Sequence, residues 1–144
     1  MIPQTLTTML TPQPLHLVKW CKQVVALFDR HYVSASIVVG AENGSSVRRF
    51  TIQVVNRLNI ACHGLFPVRV TVGTSATGGP SGTQTVTTIT GTQIATVAAN
   101  QCADVMTATD GTIVIDVEVT GAGTRHVTVS VGSQTVSTGA VTWA

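Results

Sequence analysis

Four histidines, three cysteines and six carboxylates are the side chains of this 144-residue chain best suited to catalysis or metal binding. Their spacing supports neither. No two of His16, His31, His63 and His126 stand at a metal-ligand spacing with a carboxylate. Cys62 and His63 are adjacent, but neighbouring side chains in an extended segment diverge, so they do not make a nucleophile and its base. Ser, His and Asp all occur, without a GxSxG turn. Asp110 precedes Gly111 and reads as a turn residue, while Asp116 and Glu118 read as the wet face of a strand. Oxygen ligands do cluster in such turns, yet no calcium-loop pattern accompanies Asp104, Asp110 and Asp116. The glycines of GTSATGGPSG (residues 73–82) lack the following Lys-Ser/Thr and helix of a phosphate-binding loop. Polar-face threonines would suit a glycan, and edge hydrogen bonding and solubility explain them equally well. These residues predict a non-enzymatic protein with no catalytic set, cofactor or metal.

The bulk properties agree. Cys21, Cys62 and Cys102 are odd in number and contain no CxxC, which predicts buried thiols in a reducing cytoplasm rather than disulfides or zinc. Only 10 % of residues are charged and 4 % aromatic, and the mean hydropathy is +0.37. Such a surface is expected to be partly covered by copies of itself or by a partner. Residues 1–72 hold seven Lys or Arg against two Asp or Glu, and residues 73–144 hold one against four. The positives are scattered and not interleaved with aromatics, so docking on an acidic protein surface is favoured over nucleic-acid binding. No run is long enough for a transmembrane helix, and the N-terminus lacks the basic start and apolar run of a secretory signal. No membrane partner is expected.

The elements that would position these side chains are mostly strands, since Val and Thr favour a pleated surface and Gly and Ser supply turns. The clearest pattern is Thr109–Val131. Ile113, Ile115, Val117 and Val119 fall on one face, with Asp116, Glu118 and Thr120 on the other after an apolar Val114, and after Gly121-Ala122-Gly123 Val127, Val129 and Val131 alternate with polar residues. This predicts a hairpin with one face buried. Further strands are predicted at Ile37–Val39, Arg48–Val55, Phe66–Val72, Thr85–Thr90, Gln93–Ala98, from Val105, and through Gln134–Trp143 with a kink at Gly139. Gly73–Gln84 reads as a flexible or exposed loop. Residues 1–13 (MIPQTLTTMLTPQ) predict an extended arm. Residues 14–31 fit a short helix starting at Pro14, with a pair of strands (LHLVKW and QVVALF) as the alternative. The domain expectation is an arm and helix over 1–36, serving anchoring or oligomerisation, and an antiparallel β-sandwich of seven or eight strands over 37–144.

Two resemblances follow from that layout. RRFTIQVVNRLNIACHGLFPVRVTV, a variable middle, and TATDGTIVIDVEVTGAGTRHVTVSVGSQTVSTGAV resemble a bacterial immunoglobulin-like module of the invasin type. The chain is more similar to a group of tailed-bacteriophage virion proteins. The residues carrying that likeness are VVGAENGSSVRRFTIQVV (Val38–Val55), the Ser/Thr/Gly-rich loop, and STGAVTWA (Ser137–Ala144). It covers about residues 37–144.

This resemblance implies a structural component of the virion, assembled in the host cytoplasm. A capsid decoration or cement protein bound to the major capsid protein is the leading expectation. A neck or tail appendage bound to another virion protein is the second, and a host-glycan module using Gly73–Gly82 the third. Self-association into a homo-oligomer, such as a trimer, is expected as well. Under this reading Leu6, Leu10, Leu17, Val18 and Phe28 bury apolar area in the anchor, while Lys19, Lys22, Arg30, Arg48 and Arg49 meet an acidic capsid surface.

Overall fold

The computed structural model describes residues 32–44 and 46–144. The arm, the helix-or-strand-pair alternative over 14–31, and Cys21, His16 and His31 lie outside the described residues.

Among the described residues there are ten strands and no helix. They are β1 (Val33–Glu42), β2 (Val47–Asn56), β3 (Pro67–Gly73), β4 (Thr85–Thr90), β5 (Thr92–Ala98), β6 (Cys102–Met106), β7 (Thr112–Glu118), β8 (Gly123–Val131), β9 (Gln134–Ser137) and β10 (Val141–Trp143). They form two antiparallel sheets packed as a sandwich. One has the order β1-β2-β7-β4; the other runs β10-β8-β3-β6-β5, with β9 also on β8. Lettered in chain order with β5 and β6 set aside, this is the A-B-E-D sheet facing G-F-C of an immunoglobulin-like sandwich. The β5–β6 hairpin is added outside the third strand. The described strands number ten rather than the expected seven or eight; one of the extra strands arises because the segment Gln134–Trp143, read as a single kinked strand, is broken into β9 and β10. The break falls at Gly139, whose φ of 63° favours glycine.

The alternating apolar positions are the core. Phe50, Ile52 and Val54 of β2 and Ile113, Ile115 and Val117 of β7, with Val119 just beyond it, face Val68, Val70 and Val72 of β3 and Val127, Val129 and Val131 of β8. Trp143 of β10 fills the end of this layer, its ring 6.2 Å from that of Phe50.

The expected hairpin between β7 and β8 does not form. β7 pairs with β2 and β4, whereas β8 pairs with β3, β9 and β10. The Gly121–Gly123 turn instead carries the chain from one sheet to the other. Alternation reports which face of a strand is buried; two strands facing one core from opposite sheets have the same pattern as two paired in one sheet. β1 is also ten residues long rather than three, because its register with β2 begins at Val33 opposite Asn56. The sandwich therefore starts ahead of the expected residue 37. β6 starts at Cys102 rather than Val105 and hydrogen-bonds along β3.

Candidate functional site

The residues with chemical potential are dispersed; most are engaged within the fold, while the buried His126 Nδ1 has no hydrogen-bond partner among the described residues. His63 is exposed, whereas Cys62 packs against the core, its thiol 3.9 Å from the Ile60 carbonyl oxygen. Neither Cys62 nor Cys102 is in a disulfide. Asp116 on β7 accepts two hydrogen bonds from Arg49, both 2.8 Å, and Asp104 on β6 accepts two from Arg69 at 2.8 and 2.9 Å. These bonds hold both carboxyls below the usual carboxylate range, against the opposing effect of desolvation. The Asp110 carboxyl is held low chiefly by the Thr112 hydroxyl and then by the Thr112 backbone N–H, with His63 adding a weaker pull. Asp104 and Asp116 sit in different sheets and Asp110 in a turn, so the three do not converge. Among the described residues no group of three or more His, Cys, Asp or Glu could hold a metal ion.

Of the interface residues expected from the sequence, Arg48 and Arg49 are described; Leu6, Leu10, Leu17, Val18, Lys19, Lys22, Phe28 and Arg30 lie outside the described residues. Arg49 is exposed on the outer face of its sheet and paired with Asp116. Arg48 is a clamp. Its Nε and Nη2 donate to the Thr142 carbonyl at 3.1 and 2.8 Å, Nη1 donates to the Gly40 carbonyl at 3.2 Å, and Nη2 lies 3.4 Å from Glu42. The guanidinium carbon is 5.6 Å from the centre of the Trp143 ring, and Glu42 also accepts the Ala144 N–H at 3.1 Å. Most of the directional bonding of Arg48 is therefore spent within the chain.

Three contact features stand out on the surface. The first is the connection after β2. Asn56 accepts the N–H groups of Leu58 and Ile60 through its side-chain oxygen, at 2.9 and 3.0 Å, and donates its own N–H to the Ile60 carbonyl at 2.9 Å. This braced turn holds Leu58 and Ile60 more than half exposed, and Leu65, farther along the connection, is exposed as well. Val33 pairs with Asn56, so the Leu58 and Ile60 side chains crown the end of the sandwich where the chain enters β1. There Arg57 lies over the Tyr32 ring at 4.9 Å. Arg48 is eight residues back along β2, about 26 Å from Asn56. The sequence reading treated this stretch as a plain connection; three large aliphatics in a short loop were the available signal.

The second feature is Gly73–Gln84, pinned at its base and exposed at its tip. Arg125 is buried and donates to the Gln84 side chain at 3.0 Å, to the Thr83 carbonyl at 3.0 Å and to the Thr124 carbonyl at 2.9 Å. Gln101 holds the Gly82 carbonyl at 2.8 Å. The sequence reading missed Arg125, although the residue stands two before Val127 on the buried face of β8, where an arginine interrupts a valine row.

The third is a cleft of about 200 Å³ between β4 and the β5–β6 hairpin. Buried Val70, Val72 and Ile115 line its depth, and exposed Gln93, Thr96 and Asn100 its mouth. It is smaller than the roughly 300–1,000 Å³ of ordinary small-molecule sites.

Comparison with protein-family models, curated proteins and solved structures gives no match to this chain.

Proposed function

We propose that this chain is a non-enzymatic structural protein of a tailed-phage virion, most simply a capsid decoration or cement protein. In this reading its N-terminal region binds the major capsid protein and tethers the sandwich, and copies of the chain associate with one another. The observation that carries the reading is the exposed apolar pair Leu58 and Ile60, held on the Asn56-braced turn at the end where the chain enters the sandwich. Exposed aliphatics held on a rigid turn are suited to burial against another protein. Asp104 and Asp116 are engaged in ion pairs, Asp110 caps its own turn, and Cys62 packs against the core. Further support comes from the two segments that carry the phage resemblance. Val38–Val55 spans the second half of β1 and nearly all of β2, Ser137–Ala144 includes β10, and the Arg48 clamp joins them.

The test is made on particles. Deleting residues 1–30 should strip the protein from the capsid while the shell still assembles; retention at normal copy number would overturn the anchoring. A copy number in the hundreds places it on the capsid, and about a dozen moves it to the neck or tail. Replacing Gly73–Gly82 with a short Gly-Ser turn should leave host adsorption unchanged.

A further inference from the structure

Of the four asparagines of this chain, only Asn43 is followed by glycine; Asn56, Asn59 and Asn100 precede Arg57, Ile60 and Gln101. Asn43 stands at the exposed tip between β1 and β2. There the Ser46 N–H donates to the Asn43 carbonyl at 3.1 Å, and the Asn43 N–H donates to the Val47 carbonyl at 3.0 Å. The Asn43 side-chain oxygen accepts the Val47 N–H at 3.2 Å. Gly44 is a glycine that the fold does not require. Its φ lies outside the left-handed region, and a Cβ there would meet nothing within 4 Å. Gly111 differs on both counts, with a φ of 79° and a Cβ that would run into the Cys62 carbonyl oxygen. Among the described residues no backbone carbonyl accepts the Gly44 N–H.

These features favour a reaction within the chain itself. The Gly44 nitrogen, giving its proton to a solvent base, attacks Asn43 Cγ, and the new C–N bond closes a five-membered succinimide. The Cγ–Nδ2 bond breaks, and the amide nitrogen leaves with a solvent proton as ammonia. Water then adds to one ring carbonyl. Opening at Cγ leaves aspartate; opening at the main-chain carbonyl leaves isoaspartate, with the backbone rerouted through Cβ. One water is consumed and one ammonia released, with no change of oxidation state. Attacker and target are adjacent in the chain, so no encounter has to be arranged. The Val47 N–H points at Oδ1, the atom that gathers negative charge when Cγ becomes tetrahedral, and a donor there eases the attack. The missing Cβ of Gly44 leaves the attacking nitrogen uncrowded.

We infer that the Asn43-Gly44 turn is a self-modification site, at which solvent water converts the Asn43 amide to aspartate and isoaspartate in the folded protein. The two products act differently. Aspartate keeps a side-chain oxygen for the Val47 N–H. Isoaspartate adds a carbon to the main chain, so the Ser46 and Val47 N–H groups both lose the geometry of their present acceptors. The turn then opens beside Glu42, which binds Arg48 and the Ala144 N–H, and the loosening reaches the Arg48 clamp. This modification is independent of any role in a virion.

The full-length protein is incubated for days in mildly alkaline buffer, its charge variants are separated by ion exchange, and each is mapped by peptide mass spectrometry with an isoaspartate-specific methylation assay. Wild type should accumulate acidic forms altered at Asn43 and not at Asn56, Asn59 or Asn100. Gly44→Ala should fold as wild type does and react at least about tenfold more slowly, because the added methyl crowds the attacking nitrogen and no other group. Asn43→Asp should match wild type in its urea midpoint. The purified isoaspartate form should unfold at lower urea and exchange the Ser46 and Val47 amides faster. A folded wild type that keeps Asn43 intact overturns the inference, whether or not the urea-unfolded chain reacts. So does a Gly44→Ala variant that reacts at the wild-type rate. An isoaspartate form as stable and as well protected as wild type overturns the reach to the Arg48 clamp.

Discussion

Replacing Trp143 by alanine tests whether the C-terminal strand is part of the core or an appendage to it. Trp143 is fully buried, packed on Phe50 and capped by the Arg48 guanidinium. Removing such a side chain costs about 3–5 kcal/mol, since the apolar contact is lost and the surrounding strands close the hole only in part. A domain of this size has a total stability of about 5–15 kcal/mol, so Trp143→Ala should bring the sandwich close to its unfolding limit. Arg48→Ala should cost less, about 1–3 kcal/mol, because the exposed Thr142 carbonyl and the half-buried Gly40 carbonyl lose a charged donor but regain water. The two changes act on one assembly. Once Trp143 is gone, β10 is free to fray, and Arg48 loses both the ring beneath it and the Thr142 carbonyl. The double variant should therefore lose less than the sum, with a coupling of about 1–2 kcal/mol. Urea unfolding followed by far-ultraviolet circular dichroism measures all four corners, with equal m-values as the check on two-state behaviour. A Trp143→Ala cost below about 1 kcal/mol, or strictly additive losses, would refute the clamp.

Arg125→Met removes the donor to three oxygens around Gln84, Thr83 and Thr124 and should cost about 1–3 kcal/mol, with faster amide exchange around residues 82–84 as its local signature. Gly111→Ala should be more severe than an ordinary loop change. Its φ of 79° alone costs about 1–2 kcal/mol for alanine, and the new Cβ would run into the Cys62 carbonyl oxygen; a melting temperature within a degree or two of wild type would be the contrary result. Asp104, Asp110 and Asp116 all have folded-state pKa values below their unfolded ones, so their stabilisation is complete above the unfolded carboxylate pKa of about 4. It is lost as the pH falls through the folded values. Melting temperature should decline on acidification below about pH 4, less steeply in Asp116→Asn and in high salt. Leu58→Lys should leave stability within about 0.5 kcal/mol of wild type, because the side chain is exposed, while lowering occupancy on particles.

The value of reading strands from the sequence differs between β2 and β5. For β2, Phe50, Ile52 and Val54 alternate with polar residues, and burying one face of a strand demands that period, so face and extent were legible. β5 is exposed along nearly its whole length and packs no continuous face, so no period marks its partner or its two bulges. Bulges shift a register by one residue without changing composition, which is why the exposure of Ile89, Ile94 and Val97 could not be found in the chain alone. The two described arginines of the expected interface were picked for charge. Charge says nothing about where a guanidinium is already engaged, and the Thr142 carbonyl that Arg48 binds lies 94 residues away.

By itself the sequence determined an all-β sandwich, the inward-facing positions of β2, β3, β7 and β8, the Asp110-Gly111 turn and the kink at Gly139. Each of these is local, set by the two-residue period of a strand or by the φ that only glycine adopts easily. Tertiary structure alone decided which strands share a sheet. Ile113–Val119 and Val127–Val131 carry the same alternation, and it is the Gly121–Gly123 crossover, not the pattern, that sets them on opposite walls of one core. Pairing is a contest among distant edges with nearly equivalent hydrogen-bonding groups. It is decided by how all the faces pack at once, and no short stretch of chain contains that information.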